Sequence, residues 1–168
     1  RRSPDPSRAT VATASRRRPG ARLAGPLYLD ASALVKLYLP EPGSENLNRL
    51  LVGRHDVVVS DLAVTEIVSS LCRRRREGSL TTAIVTRLHR TLLGHIEAGV
   101  YRRFELIPAA HREAERLLIS LGTVPLRGAD ALHLALALGA EAASLLTWDR
   151  RLGEAARAIG LGVFPARV

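Results

Sequence analysis

From Leu27 onward, short apolar runs of strand composition alternate with longer segments of helical period; one run closes in an acid and another has an acid two residues beyond it. Leu27–Asp30 is such a run, and Ala31–Leu39 follows it with helical spacing until Pro40 and Pro42 stop it. Gly43–Val52 predicts a second helix. The β-branched Val57-Val58-Val59 marks a strand over Asp56–Ser60, and Leu62–Arg76 returns to a period of about 3.6. Gly78 separates that helix from another over Leu80–Ala98, whose Leu88, Leu92 and Ile96 share a face. Phe104–Ile107 reads as a strand, Pro108–Leu121 and Gly128–Leu138 as helices, Ser144–Thr147 as a strand, Asp149–Ile159 as a helix, and Gly162–Pro165 as an edge strand. This alternation predicts a mostly parallel sheet covered on both faces, a three-layer α/β/α domain.

The chain has 168 residues, enough for one domain and a spare segment. The spare segment is 1–25, a basic tail rich in Arg, Pro, Ser and Ala without stable periodicity, and the domain is 26–168. Of the net charge of +9, the tail supplies +6 through seven arginines against one aspartate. Lys36 is the only lysine. Arginine dominance suits forked contacts with phosphate or carboxylate, and a GC-rich coding sequence produces the same bias without any ligand. A single cysteine, Cys72, excludes an internal disulfide and a Cys-based zinc site. No run of 18 apolar residues offers a membrane span, so a cytoplasmic, membrane-free protein is expected.

In open parallel sheets, ligands gather outside the carboxyl ends of the strands, which gives weight to Asp30 and Asp149. Glu66 lies in the helix after Asp56–Ser60, surrounded in the pattern by Leu62, Ala63, Ile67 and Leu71, and Asp130 lies in the first turn of the helix from Gly128. Taken singly, each has an ordinary explanation as a helix cap, a dipole partner or a solvated residue. Asp61 reads as an N-cap. Four converging carboxylates would repel one another and be pushed toward protonation, a conflict that a divalent cation removes. All-oxygen ligands suit Mg2+ or Mn2+, and such ions activate water against a phosphodiester.

Competing chemistries lack their residues. No Gly-x-Gly-x-x-Gly follows the first strand, and neither a Gly-Lys-Ser/Thr loop, a His-Glu-x-x-His helix nor a Gly-x-Ser-x-Gly elbow occurs. A haloacid-dehalogenase-like phosphatase would need an acid at Ser32. Ser32 and Thr147 are candidates to hydrogen-bond a ligating carboxylate, and His133, three residues past Asp130, to orient that acid. Capping and core packing are their ordinary alternatives. Lys36 is a candidate for phosphate contact, with solvation as its default.

Leu29-Asp30-Ala31-Ser32 with Lys36-Leu37-Tyr38 and Pro40-Glu41-Pro42-Gly43, then Thr65-Glu66, Asp130-Ala131-Leu132-His133-Leu134-Ala135 and Leu146-Thr147-Trp148-Asp149-Arg150-Arg151-Leu152, occur in that order. These segments resemble the motifs of the PIN-domain nucleases, especially the VapC-type toxins of prokaryotic toxin-antitoxin pairs. The resemblance covers about 27–168 and departs at Asp61 and in the tail. It implies an endoribonuclease that uses Mg2+ or Mn2+ at Asp30, Glu66, Asp130 and Asp149, commonly a homodimer, neutralised by a cognate antitoxin seated on the helices around Leu62–Arg76 and Leu80–Ile96. Arg73, Arg74, Arg75 and Arg76, with Arg102-Arg103, Arg150 and Arg151, are candidates for RNA or antitoxin contact, against the alternative of a solvated helix end. Trp148 either packs or stacks on a base. Two other functions fit the same residues: a noncatalytic RNA- or antitoxin-binding regulator, and a PIN nuclease of RNA processing or DNA cleavage outside any toxin-antitoxin pair.

Overall fold

In the computed structural model, which describes residues 23–166, five short strands form one sheet. They are β1 (Leu27–Leu29), β2 (Val57–Ser60), β3 (Arg102–Phe104), β4 (Ser144–Leu146) and β5 (Gly162–Phe164). Every pairing is parallel and the order is β3-β2-β1-β4-β5, with Leu27 opposite Val57 on one side and Ser144 on the other. β1, β2 and β4 are buried throughout, which is why they read as continuous apolar runs without polar alternation.

Side chains alternate across the sheet and so feed two cores. Leu27, Leu29, Val57, Val59 and Leu146 pack against α1 (Ala31–Tyr38), α2 (Ser44–Leu51), α3 (Asp61–Arg76) and α4 (Thr82–Glu97). Tyr28, Val58 and Leu145 pack on the other face against α5 (Pro108–Ser120), α6 (Gly128–Gly139) and α7 (Arg150–Ala158). The result is the three-layer α/β/α arrangement. Ile67 and Leu71 of α3, and Val85 and Leu92 of α4, are turned into the first core. Leu80, Leu88 and Ile96 stay partly exposed at the rim of that core.

Two local expectations are corrected. The third strand is Arg102–Phe104, two residues earlier than its apolar signal over Phe104–Ile107. At the sheet edge its outward sides can be arginine, and Leu106 leaves the ladder to donate its N–H to Asp61 Oδ2 at 3.1 Å. The N-cap of α3 is Ser60, whose hydroxyl accepts from Ala63 N. Asp61 instead pairs with Arg103 Nε at 2.6 Å, fastening β3 to the start of α3. The basic tail falls almost wholly outside the described residues. Among those residues, no helix is long and apolar enough to cross a membrane.

Candidate active site

The chain leaves β1 for β2 on one side and returns through β4 on the other, so connections diverge at the carboxyl end of β1. Such a switch point opens a crevice between neighbouring strands. Asp30 sits there, 4% exposed and N-capping α1. Its Oδ1 accepts from Ser32 Oγ at 2.7 Å and Ala33 N at 2.9 Å, and its Oδ2 accepts from Thr147 Oγ1 at 2.6 Å. Burial raises the Asp30 carboxyl above the usual carboxylate range, while the Thr147 hydroxyl, the Ala33 amide, the His133 ring and Ser32 pull the other way.

Thr147 also accepts from Asp149 N at 2.9 Å, so one hydroxyl sets the spacing between the first acid and the last. Asp149 is exposed and caps α7, with Oδ1 accepting from Arg151 N at 2.8 Å and Leu152 N at 3.1 Å. Ser32 Oγ accepts from Trp148 N at 2.7 Å, tying the β4 exit to α1. Asp130 folds back in the first turn of α6 to accept from Arg127 N at 3.0 Å.

Because Asp130 is engaged with its own helix start, His133 does not orient it. The buried imidazole reaches across to α3, with Nε2 2.8 Å from Glu66 Oε2, and Glu66 keeps about a third of its side chain exposed. His133 Nδ1 is 2.9 Å from the Tyr28 hydroxyl, which lies 2.6 Å from Ser60 Oγ. Spacing along the chain gave no signal for this contact, since its partners stand on β1, β2, α3 and α6.

All four acids line one open cleft of about 470 Å³, together with Ser32, Ser69, Ser70, Arg73, Arg76 and His133. Ser69 and Ser70 were not among the expected residues, although Glu66, Ser69, Ser70 and Arg73 follow the i, i+3, i+4, i+7 spacing of one helix face. The same periodicity divides the arginine run. Arg73 and Arg76 face the cleft and Arg75 is exposed, whereas Arg74 donates to Glu41 Oε1. Lys36 binds the other Glu41 oxygen at 3.1 Å and the Pro42 carbonyl at 2.9 Å, and its ammonium stands 5.1 Å from the Trp148 ring centroid. Lys36 and Arg74 are therefore committed within the fold rather than presented to a phosphate. Trp148 packs edge-on to Phe164. Arg102 donates to the Ala140 carbonyl at 2.7 Å. Arg150 and Arg151 line a second depression with Arg127, adjoining the cleft at Asp149.

The donors suit a hard dication. The hydrogen bonds of Glu66, Asp130 and Asp149 each use a single carboxylate oxygen, so Glu66 Oε1, Asp130 Oδ1 and Asp149 Oδ2 have no donor among the described residues. Among those same residues, no three His, Cys, Asp or Glu side chains are placed to hold one ion between them. Hard carboxylate oxygens of this kind are what an Mg2+-type ion takes, one or two directly and the rest of its shell as water.

Comparison with known proteins gives a consistent result. A sequence description of the PIN domain matches residues 27–158. Ribonuclease VapC49 of Mycobacterium tuberculosis is 35% identical over 144 residues, covering 84% of this chain and 96% of the relative. Ribonuclease VapC46 of the same organism is 34% identical over 142 residues, covering 82% and 95%. The crystal structure of M. tuberculosis VapC20, a toxin that cleaves the sarcin-ricin loop, superposes with a TM-score of 0.63 at 16% identity, covering 81% of this chain and 96% of that one.

Proposed function

Since the chain belongs to the PIN-domain family, in its VapC-type branch, we propose that it is a Mg2+- or Mn2+-dependent endoribonuclease toxin that hydrolyses RNA phosphodiesters and is neutralised by a cognate antitoxin. The observation carrying this reading is that Asp30, Glu66, Asp130 and Asp149 line one cleft at the switch point of the sheet. We assign the nuclease to residues 26–168 and expect it to act as a homodimer, which the mass of the particle in solution will test. The ribonuclease names of its relatives support RNA as the substrate.

A divalent ion in the cleft would neutralise charge on the phosphodiester and make water a competent nucleophile. The chain's own residues supply position. Ser32 and Thr147 lock the Asp30 carboxylate in one rotamer, so no reorganisation is needed when substrate arrives. The hydroxyls of Ser69 and Ser70 line the cleft, where they can donate to nonbridging phosphate oxygens. Arg73 and Arg76 on one side, and Arg127, Arg150 and Arg151 beyond Asp149 on the other, can receive the phosphates that flank the scissile one.

The test is to incubate metal-free protein with a panel of structured RNAs, add Mg2+ or Mn2+, and repeat with Asp30→Asn. Cleavage should begin only on adding metal and should disappear in the variant. Equal cleavage by the variant would remove the assignment, and retention of RNA without products from any substrate would favour a binding protein. The antitoxin claim is tested separately, by adding the product of a small adjacent upstream gene to the active enzyme. Inhibition is expected; the absence of such a gene would move the chain outside a toxin-antitoxin pair.

A further inference from the structure

Four side chains that are scattered in sequence close a ring behind Glu66. Ser60 is the N-cap of α3 and Glu66 stands on the same helix, and between them run Tyr28 of β1 and His133 of α6. Ser60, Tyr28 and His133 are all buried, and among the described residues no buried side-chain polar atom lacks a partner. Groups removed from water this thoroughly hold fixed roles, because each unmade hydrogen bond would carry its full desolvation cost.

The donor directions follow from the two ends. A carboxylate can only accept, so Nε2 of His133 carries a proton toward Glu66, and when the ring holds that proton alone Nδ1 is left to accept from the Tyr28 hydroxyl. Ser60 Oγ already accepts from Ala63 N, which leaves its own proton for the Tyr28 oxygen. Every hydroxyl then donates once and accepts once. The ring sets both the tautomer and the rotation of the imidazole, and the imidazole fixes Oε2 of Glu66, a residue that lines the cleft and whose Oε1 has no donor among the described residues.

We infer that Tyr28 and His133, completed by Ser60, form a positioning relay that aims Glu66 into the cleft for cation binding. The inference rests on the nuclease reading above and assigns a role to Tyr28 and Ser60 that no motif spacing suggested. Neither residue touches substrate. Their effect is expected through Glu66 alone, much as the outer partners of metal ligands tune affinity by holding the ligand in one orientation.

Two measurements test it on the full chain. In imidazole nitrogen NMR of the metal-free protein above pH 8, His133 should carry its proton on Nε2; any form protonated on Nδ1 overturns the relay. Mn2+ binding, followed by the paramagnetic signal of the free ion without RNA, should weaken by about tenfold in Tyr28→Phe and His133→Leu. His133→Gln, whose amide nitrogen can replace Nε2 as donor, should recover much of the loss. At saturating Mn2+, kcat on a cleavable RNA should remain reduced in Tyr28→Phe with KM unchanged. If the ring only braces α3, these variants melt earlier yet bind Mn2+ like the wild type, and the inference falls while the nuclease reading stands. A wild type that neither binds Mn2+ nor cleaves RNA removes both. Should His133→Leu fail to fold, Ser60→Ala gives the second comparison, with a smaller loss of Mn2+ affinity expected and an unchanged affinity counting against the relay.

Discussion

Asp30 is held in a state that costs the fold stability when the carboxyl is ionised. Its carboxylate is buried on the floor of the cleft, and burial raises its protonation range despite four groups that oppose the shift. Asparagine would keep the N-cap without the buried charge. We therefore expect Asp30→Asn to lose cleavage while raising the melting temperature of the metal-free protein at pH 7, by about 3 °C for roughly 1 kcal/mol. The sign with pH follows from linkage. A carboxyl whose folded range is raised is most favourable to folding when protonated, and that contribution is lost as pH rises through the folded range. The variant's advantage should accordingly be absent below about pH 4, where Asp30 is protonated in both folded and unfolded chains, and grow as pH rises from there through the folded range. A gap that is constant with pH in paired thermal melts would contradict this account of Asp30. Thr147→Val removes the hydroxyl shared by Asp30 and Asp149 while keeping the β-branched shape. It should lower cleavage about ten- to a hundredfold, a split that kinetics at saturating metal will read.

At the scale of elements, the frame around the cleft depends on contacts between segments more than on any one helix. Glu41 joins α1 to α3 by accepting from Lys36 and Arg74. Partial burial works against its ionisation, but the hydrogen bonds and charges of those two cations prevail and hold its carboxyl below the usual range. A depressed carboxyl stabilises the fold above its unfolded range, and that stability is lost as pH falls through the folded range. Glu41→Gln should thus melt earlier than the wild type at pH 7, with the deficit closing in acid, as melts across pH will show. The helices and buried strands around this tie were legible in sequence because two-sided burial writes itself as apolar runs and one-sided burial as a helical period. β3 begins two residues before its apolar signal because Arg102 and Arg103 occupy an edge where outward sides need not be apolar. His133 was assigned to the wrong acid because i, i+3 proximity competes with contacts between helices that no spacing records. Ser69 and Ser70, by contrast, are legible in the phase of α3, three and four residues past Glu66 on the same face.

Across the whole molecule, the topology converts remote sequence positions into one chemical surface. Asp30 and Asp149 are 119 positions apart in the chain, yet Thr147 contacts both because β1 and β4 are neighbours. Basic residues flank the acids: Arg73 and Arg76 stand at one wall, and Arg151 forms a long ion pair with Asp130 at 3.9 Å. Replacing Arg73 and Arg76 together with alanine should weaken RNA binding and flatten its log–log salt dependence by roughly 1 to 1.5, as expected for two lost contacts to single-stranded phosphates. An unchanged slope would assign both arginines to the solvated end of α3. The central claim is that the cleft lined by the four carboxylates binds a divalent cation, one or two of them directly and the others through water. It is tested most directly by anomalous diffraction from crystals soaked in Mn2+: the account predicts a Mn2+ peak in the cleft bounded by Asp30, Glu66, Asp130 and Asp149, with water completing its shell, and a cleft empty at saturating Mn2+ in a protein that still cuts RNA would contradict it.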